Sequence, residues 1–484
     1  MTEPGSLTAR ALPGHEGSSA QRGALAVAGV VAVVAITLAA VLARPALAGT
    51  SSSGLGSAAV TAAAEGPATE GTTVPATGHT TEVTVTVQGM TLTPSSIEVP
   101  AGDTLRVVFA NQGDQRHDLV FANGSATESI APGTQATLDV GVVTGNLDAW
   151  CSLPGHRQMG MALQVIAVGG PAGAGAVRDL QDDVQVPTMA DLLAAAATAT
   201  PSPAELPPLE ATTDHVVTFT VTEKVQDVAA GLARTVWTYN GSSPGPVLHG
   251  RVGDTFRITL VNGGTMGHSI DFHAGELAPD GPMRTIEPGE SLEYTFTATR
   301  AGIWMYHCST MPMSQHIANG MFGAVVIEPV DLEPVDRQFV LVQSDQYLGA
   351  DGAPADAAKV AAGIPDVVGF NGRAFQYDAH PLAARAGERV RIWVLDAGPN
   401  ASWSFHVVGT QFDTVWSEGA YTVRHGVSSD GLTSGVTGVQ TLALLAAEGG
   451  FVELVPVEAG HYALVNHQMS LAEKGAHGLL EVSD

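Results

Sequence analysis

The chain is short of cysteine, of basic residues and of helical periodicity, and each shortage narrows what it can be. Cys151 and Cys308 are its only cysteines among 484 residues, so no disulfide framework organises the fold. Lys and Arg number 21 against 48 Asp and Glu, a net charge of −27. That balance excludes nucleic acid and an anionic membrane surface as partners, and it favours solubility and the steering of basic donors. An anionic substrate would need positive charge placed locally, such as a metal ion. In place of helical patterns the sequence offers short Val/Ile/Thr/Phe runs broken by Gly, Pro, Asn and Asp, so an all-β protein is expected. The length has room for about three domains.

No twin-arginine pair precedes the uncharged run at residues 23–43, which follows Arg10 and Arg22 and leads to Ala46-Leu47-Ala48. The pattern fits an export signal cleaved after Ala48, and the length also fits a retained membrane anchor. In both cases the working domains are expected outside the cytoplasm, in the periplasm or its equivalent. Residues 49–80 read as a flexible tether and 169–212 as a second linker, with one short helix around residues 189–197.

Between and after these linkers the sequence repeats itself three times. Ala101-Gly102-Asp103-Thr104-Leu105-Arg106-Val107, Val252-Gly253-Asp254-Thr255-Phe256-Arg257-Ile258 and Ala386-Gly387-Glu388-Arg389-Val390-Arg391-Ile392 are each a turn leading into an alternating strand. From the turn glycine to the next key histidine is 15 residues in the first two copies, reaching His117 and His268, and 19 in the third, reaching His406. A later strand recurs as Gly145 to Cys151, Gly302 to Cys308 and Gly460 to Asn466, six residues each time. Three related β-sandwiches are expected over 81–168, 213–330 and 331–484, the third with asparagine where the others have cysteine.

Those cysteines have companions. His117, Cys151, His156 and Met161 form one set, His268, Cys308, His316 and Met321 another; Met159 competes with Met161, which keeps the x4 spacing after the histidine. A thiolate, two imidazoles and a weak thioether are the ligands of a blue-copper electron-transfer site. If Cys308 points into its sandwich, the preceding His307 points out, whereas Trp150, before Cys151, cannot bind metal. On an alternating strand His268, Ile270 and Phe272 face inward, and Asp271 and His273 join His307 outside. The first repeat has Val120 and Ala122 at those two positions. Two outward histidines and a carboxylate beside a copper thiolate point to a second metal site. It lacks a ligand, because an open catalytic site usually has three. His467 and His406 in the third repeat are candidates, His425, His461 and His477 their rivals, and a symmetric ring could supply the group across a subunit contact.

The H-x-x-D-x-H stretch at 268–273, the His307-Cys308 pair with His316 and Met321, and Val465-Asn466-His467 together resemble the copper nitrite reductases over roughly residues 213–484. The extra cupredoxin at about 81–168 resembles the three-domain members. The resemblance implies three tandem cupredoxin domains and a homotrimer. It implies type 1 copper, two per chain, on His117, Cys151, His156 and Met161 and on His268, Cys308, His316 and Met321. One type 2 copper per chain would sit on His273 and His307, with His467 from the neighbouring subunit. Asp271 and His406 would be the catalytic acid pair, Val408 the aliphatic limit on how nitrite lies, and Thr441 the residue orienting His406. Gln440 departs from the glutamate of many members, and the Cys308–His316 spacing is one residue shorter than in the best-known ones. The implied reaction is NO2⁻ + 2H⁺ + e⁻ → NO + H2O, with electrons from an external donor: a small cupredoxin, a cytochrome c or a membrane donor. A small multicopper oxidase reducing oxygen would need H-x-H motifs and an H-C-H triplet; the sequence has no H-x-H, and Ser309 follows Cys308. A plain cupredoxin electron carrier is the other alternative.

Overall fold

The computed structural model describes residues 74–169, 186–433 and 435–484. The apolar run at 23–43 and most of the tether at 49–80 lie outside them. No helix among the described residues is long and apolar enough to cross a membrane.

The strands assort into three pairs of sheets, one pair for each repeat. Thr104–Asn111 and Thr255–Asn262 occupy the same place in the first two sandwiches and show the same burial pattern residue by residue. Leu105, Val107 and Phe109 point into one core as Phe256, Ile258 and Leu260 point into the other. Alternation at period two, with every second residue apolar, is what makes these strands one-sided. The turn glycines that introduce them, Gly102, Gly253 and Gly387, all have positive φ, at 97°, 96° and 84°. A Cβ there would be strained, which is why glycine recurs at that point of each repeat.

The third repeat differs. Val390–Asp396 is buried along its whole length, because its two faces serve two cores. Ile392 and Val394 belong to the sandwich's own interior, while Trp393 and Leu395 pack with Ile303, Met305, Phe322 and Val326 of the second sandwich. The alternation expected of this strand is therefore lost: a sheet covered on both sides takes a continuous apolar run. Arg391, only 1% exposed inside that strand, is paired with Glu453, its Nε 2.8 Å from Oε1, as a buried charge must be.

The second linker also does more than link. Its expected helix forms at Met189–Thr198, with a capping box in which the Thr188 side chain and Asp191 serve each other's backbone N–H. The following stretch is a strap on the third sandwich: Ala204 is buried in that core, and its carbonyl accepts from Val340 N at 2.6 Å.

Candidate metal centres

Two inward sites are built alike. In the first sandwich His117 and Ile130 exchange backbone hydrogen bonds, and the Asn111 side-chain amide donates to the carbonyls of Gln115 and Ile130 at 2.8 and 3.1 Å. In the second, His268 and Ile286 exchange bonds, and Asn262 donates to Met266 and Ile286, both at 2.8 Å. Each cysteine N–H donates to the carbonyl of the following methionine, Cys151 to Met161 and Cys308 to Met321, at 3.1 Å in both. The two frames therefore hold His, Cys and Met by the same main-chain bonds.

Within the frames Cys151 Sγ lies 3.9 Å from His117 Nδ1 and 3.4 Å from His156 Nδ1. Cys308 Sγ lies 3.3 Å from His316 Nδ1, and His268 completes a group whose ligand atoms all fall within 4.8 Å. A tetrahedral ion about 2.3 Å from sulfur and about 2.0 Å from nitrogen leaves those atoms roughly 3.5 Å apart. Both ring nitrogens of His268, and Nε2 of His117, are buried without a protein partner. The donor sets fit a soft metal ion of the copper class. Met161 and Met321 are fully buried with the two cysteines, whereas the competing Met159 is 43% exposed. Burial holds the imidazoles neutral, pushing His117 down to about 4 and His156 and His316 to about 3.

The thiols differ. Burial, with the Asp118 carboxylate beside it, pushes Cys151 up to about 12. Burial also works against the Cys308 thiolate, but the neighbouring His268 imidazole, with the Ser269 N–H, outweighs it and the pKa falls below the ordinary value. The residue after the first histidine contributes to the difference. Asp118 accepts from Ser152 N at 2.7 Å, while Ser269 points its N–H at Cys308 Sγ, 3.4 Å away. Sequence reading passed over both, although they occupy the same repeat position next to a candidate ligand. It also passed over Trp237, which meets His316 edge-on with ring centroids 4.8 Å apart.

Among the described residues the outward site exists only in the second sandwich. Asp271 pairs directly with His307 across the antiparallel ladder, where Val120 pairs with Trp150 in the first. His273 and His307 bring their Nε2 atoms to 3.0 Å, and Asp271 stands 3.9 Å from His273 Nε2. His307 Nδ1–H donates to the Cys308 carbonyl at 2.9 Å, which fixes the tautomer and leaves Nε2 with its lone pair. Burial and the neighbouring imidazole lower the His273 pKa, and Asp271 opposes them. The two Nε2 lone pairs and the carboxylate fit a metal ion with room for further ligands. His307 is buried although it points away from its own core.

His467 does not reach this cluster within one chain. It lines a separate cleft of about 360 Å³ on the third sandwich with His406, Gln440 and Thr441, its ring 5.6 Å from that of His406. His406 Nδ1–H donates to the Gln440 backbone carbonyl at 2.6 Å, so a main-chain group and not the Gln440 side chain fixes this ring and frees Nε2. Val408, next but one along the strand, is 47% exposed. Asn466, in the place of the cysteines, fills its position with protein bonds to Gln343 and Ser402, each 2.9 Å. Among the rivals, His425 pairs with Glu333 at 3.2 Å and His477 with Asp378 at 2.6 Å, and His461 stands exposed. None of the three joins a metal-type group among the described residues.

Fold and sites define a cupredoxin-based copper oxidoreductase. Profiles described as "Multicopper oxidase" and "Cupredoxin-like domain" match residues 220–331 and 56–160. The copper-containing nitrite reductase of Neisseria meningitidis serogroup B is 35% identical over 306 residues, covering 57% of this chain and 75% of the relative. That of Alcaligenes xylosoxydans is 33% identical over 217 residues, 40% of this chain and 65% of the relative. The solved copper nitrite reductase from Nitrosomonas europaea superposes with a TM-score of 0.50 at 33% identity, over 56% of this chain and 94% of that one. The chain belongs to the copper-containing nitrite reductase family.

Proposed function

We infer that the chain is an NO-forming nitrite reductase that takes one electron and two protons per nitrite. The observation that carries this is the sharing of one strand pair: Cys308 faces the inward site and the adjacent His307 the outward one, beside Asp271. His117, Cys151, His156 and Met161, and His268, Cys308, His316 and Met321, would hold two type 1 coppers; His273, His307 and His467 would hold a type 2 copper. When bound, copper supplies one-electron redox capacity at the inward sites and, at the outward site, positive charge that offsets nitrite in an acidic protein.

The chain's own groups do the rest. The peptide bond between Cys308 and His307 is the covalent path between the two sites. Asp271 and His406 deliver the protons, His406 as an imidazolium that gives up the proton on Nε2 while Nδ1–H stays bonded to the Gln440 carbonyl. Val408 bounds the space in which nitrite lies, and Thr441 lines the wall beside His406. Two imidazoles on one face and a separate cleft holding His406 and His467 support a site completed across a subunit contact, hence a homotrimer. We place the working domains outside the cytoplasm, exported or anchored through residues 23–43, with electrons from an external small cupredoxin, cytochrome c or membrane donor.

The test is anaerobic nitric oxide production from nitrite by the copper-loaded, reduced protein. Production that His273→Ala or His467→Ala abolishes is the expected result. Oxygen consumption without nitric oxide would reassign the chain to the oxygen-reducing oxidases.

A further inference from the structure

The first sandwich meets the rest of the chain through the loops that carry two of the candidate ligand histidines. Gly155, one residue before His156, lies so near the short helix Met313–Ala318 that a Cβ on it would come within 2.9 Å of Pro312 Cγ and 3.3 Å of Gln315 Cβ. That helix carries His316. His156 is 4% exposed and His316 3%, so both rings are withdrawn from solvent. On another flank Arg116 Nη1 stands 4.0 Å from Glu287 Oε2. Arg116 precedes His117, and Glu287 follows Ile286, whose main chain holds His268. Both Glu287 carboxylate oxygens are buried without a hydrogen-bond partner, so the Arg116 guanidinium is the charge that compensates them. Gln315 Nε2 donates to the Ala355 carbonyl at 2.6 Å. Ala355 in turn borders a cleft of about 280 Å³ whose other wall includes Trp150, Pro154 and Arg157.

Thus the ligand loops of two separate sandwiches are placed against each other, with a glycine where any side chain would hold them apart. We propose that this contact is a built-in electron-transfer interface: one electron passes from the first sandwich to the second, between His156 and His316 of the same chain, with Arg116 and Glu287 setting how the two loops meet. The proposal rests on the reading of both His/Cys/His/Met sets as type 1 copper. In the transfer the first site is oxidised by one electron and the second reduced by one; no bond forms or breaks and no proton moves. An external one-electron donor protein restores the first site. The contact also covers the loop of the second site, so in this arrangement an external donor meets the first sandwich and not the His316 loop.

The test uses the full chain carrying His467→Ala, so that only the inward sites hold copper, both oxidised. Pulsed dipolar electron paramagnetic resonance then reads the coupling between them. Expected are two type 1 signals per chain with a short-range coupling. Glu287→Arg should lose that coupling, and the exchange Arg116→Glu with Glu287→Arg should restore it. Gly155→Trp, which wedges the loops apart on the opposite flank, should lose it without touching the charge pair. Two type 1 signals with no short-range coupling would overturn the interface and leave the copper assignment standing. A single type 1 signal would overturn the assignment and the interface with it. Coupling unaltered in both Glu287→Arg and Gly155→Trp would also overturn the interface.

Discussion

The first and second sandwiches hold the same inward ligand set in the same main-chain frame, yet only one has an outer face that can do chemistry. Asp271, His273 and His307 stand where the first sandwich has Val120, Ala122 and Trp150. On the proposed reading, three side chains on one face separate a carrier from a catalyst. The difference teaches that the thiolate centre is a module, and that reactivity is added on the opposite side of the strands that bear it.

The comparison breaks most completely with His307→Trp, which gives the second sandwich the outer residue of the first. Nitric oxide production is expected to vanish while the blue absorption of both inward sites persists; turnover surviving it would divorce the reaction from this face. Asp271→Asn is gentler. Metal analysis should find full copper, and turnover should drop by roughly 10²–10⁴-fold, as expected for loss of a positioned proton donor.

The buried imidazoles offer a test common to both sandwiches. His117 is held near 4 and His156 and His316 near 3, below the ordinary 6.5, by burial. Acidification therefore protonates the unfolded chain first. Stability is fully present above about pH 6.5 and is lost as the pH falls toward those folded values, by about 1.4 kcal/mol per pH unit for each histidine. Calorimetry of the metal-free protein should show a melting temperature that is flat above pH 7 and falls between pH 6.5 and 4.5. A flat profile across that range would mean the rings are not buried as neutral groups. The smallest effect concerns one inward difference, Asp118 against Ser269. A carboxylate beside Cys151 favours the oxidised metal, so Asp118→Asn should raise the reduction potential of the first site. Spectroelectrochemical titration should find a change on the order of 60 mV, one tenfold step for a single electron. An unchanged potential would remove Asp118 as the source of asymmetry.

Much of this was legible in the sequence because it lies in short spacings. The 15-residue step from turn glycine to histidine and the six-residue step to cysteine place the inward ligands on adjoining strands. Period-two alternation separates Asp271 and His273 from His268. What spacing does not carry is partnership between distant segments. The two-sided burial of Val390–Asp396 depends on a neighbouring sandwich more than 60 residues away in sequence. The strap through Ala204 is a polar, proline-containing stretch whose order comes from a sheet edge supplied by Val340. The roles of Asp118 and Ser269 follow from which way a side chain turns beside a thiol, and composition says nothing about that. The Gln440 carbonyl holding His406 is a main-chain feature, invisible to any reading of side-chain types.

The pairing of Asp271 with His307 has a consequence for how far this protein can vary. In a β ladder, displacement by a single residue exchanges the two faces of a strand. One inserted residue between His268 and His273 would turn the carboxylate and an imidazole into the apolar interior, with no change to the list of side chains. The loop between Cys308 and His316, by contrast, is held by side-chain bonds, Ser309 to Ser269, Thr310 to Thr285 and Gln315 to Ala355, and pairs in no ladder, so a residue added there exchanges no strand faces. An insertion should therefore act differently in the two places: in the six-residue window it inverts the outward site, while beyond the cysteine it disturbs packing and leaves the facing of Asp271 and His307 intact.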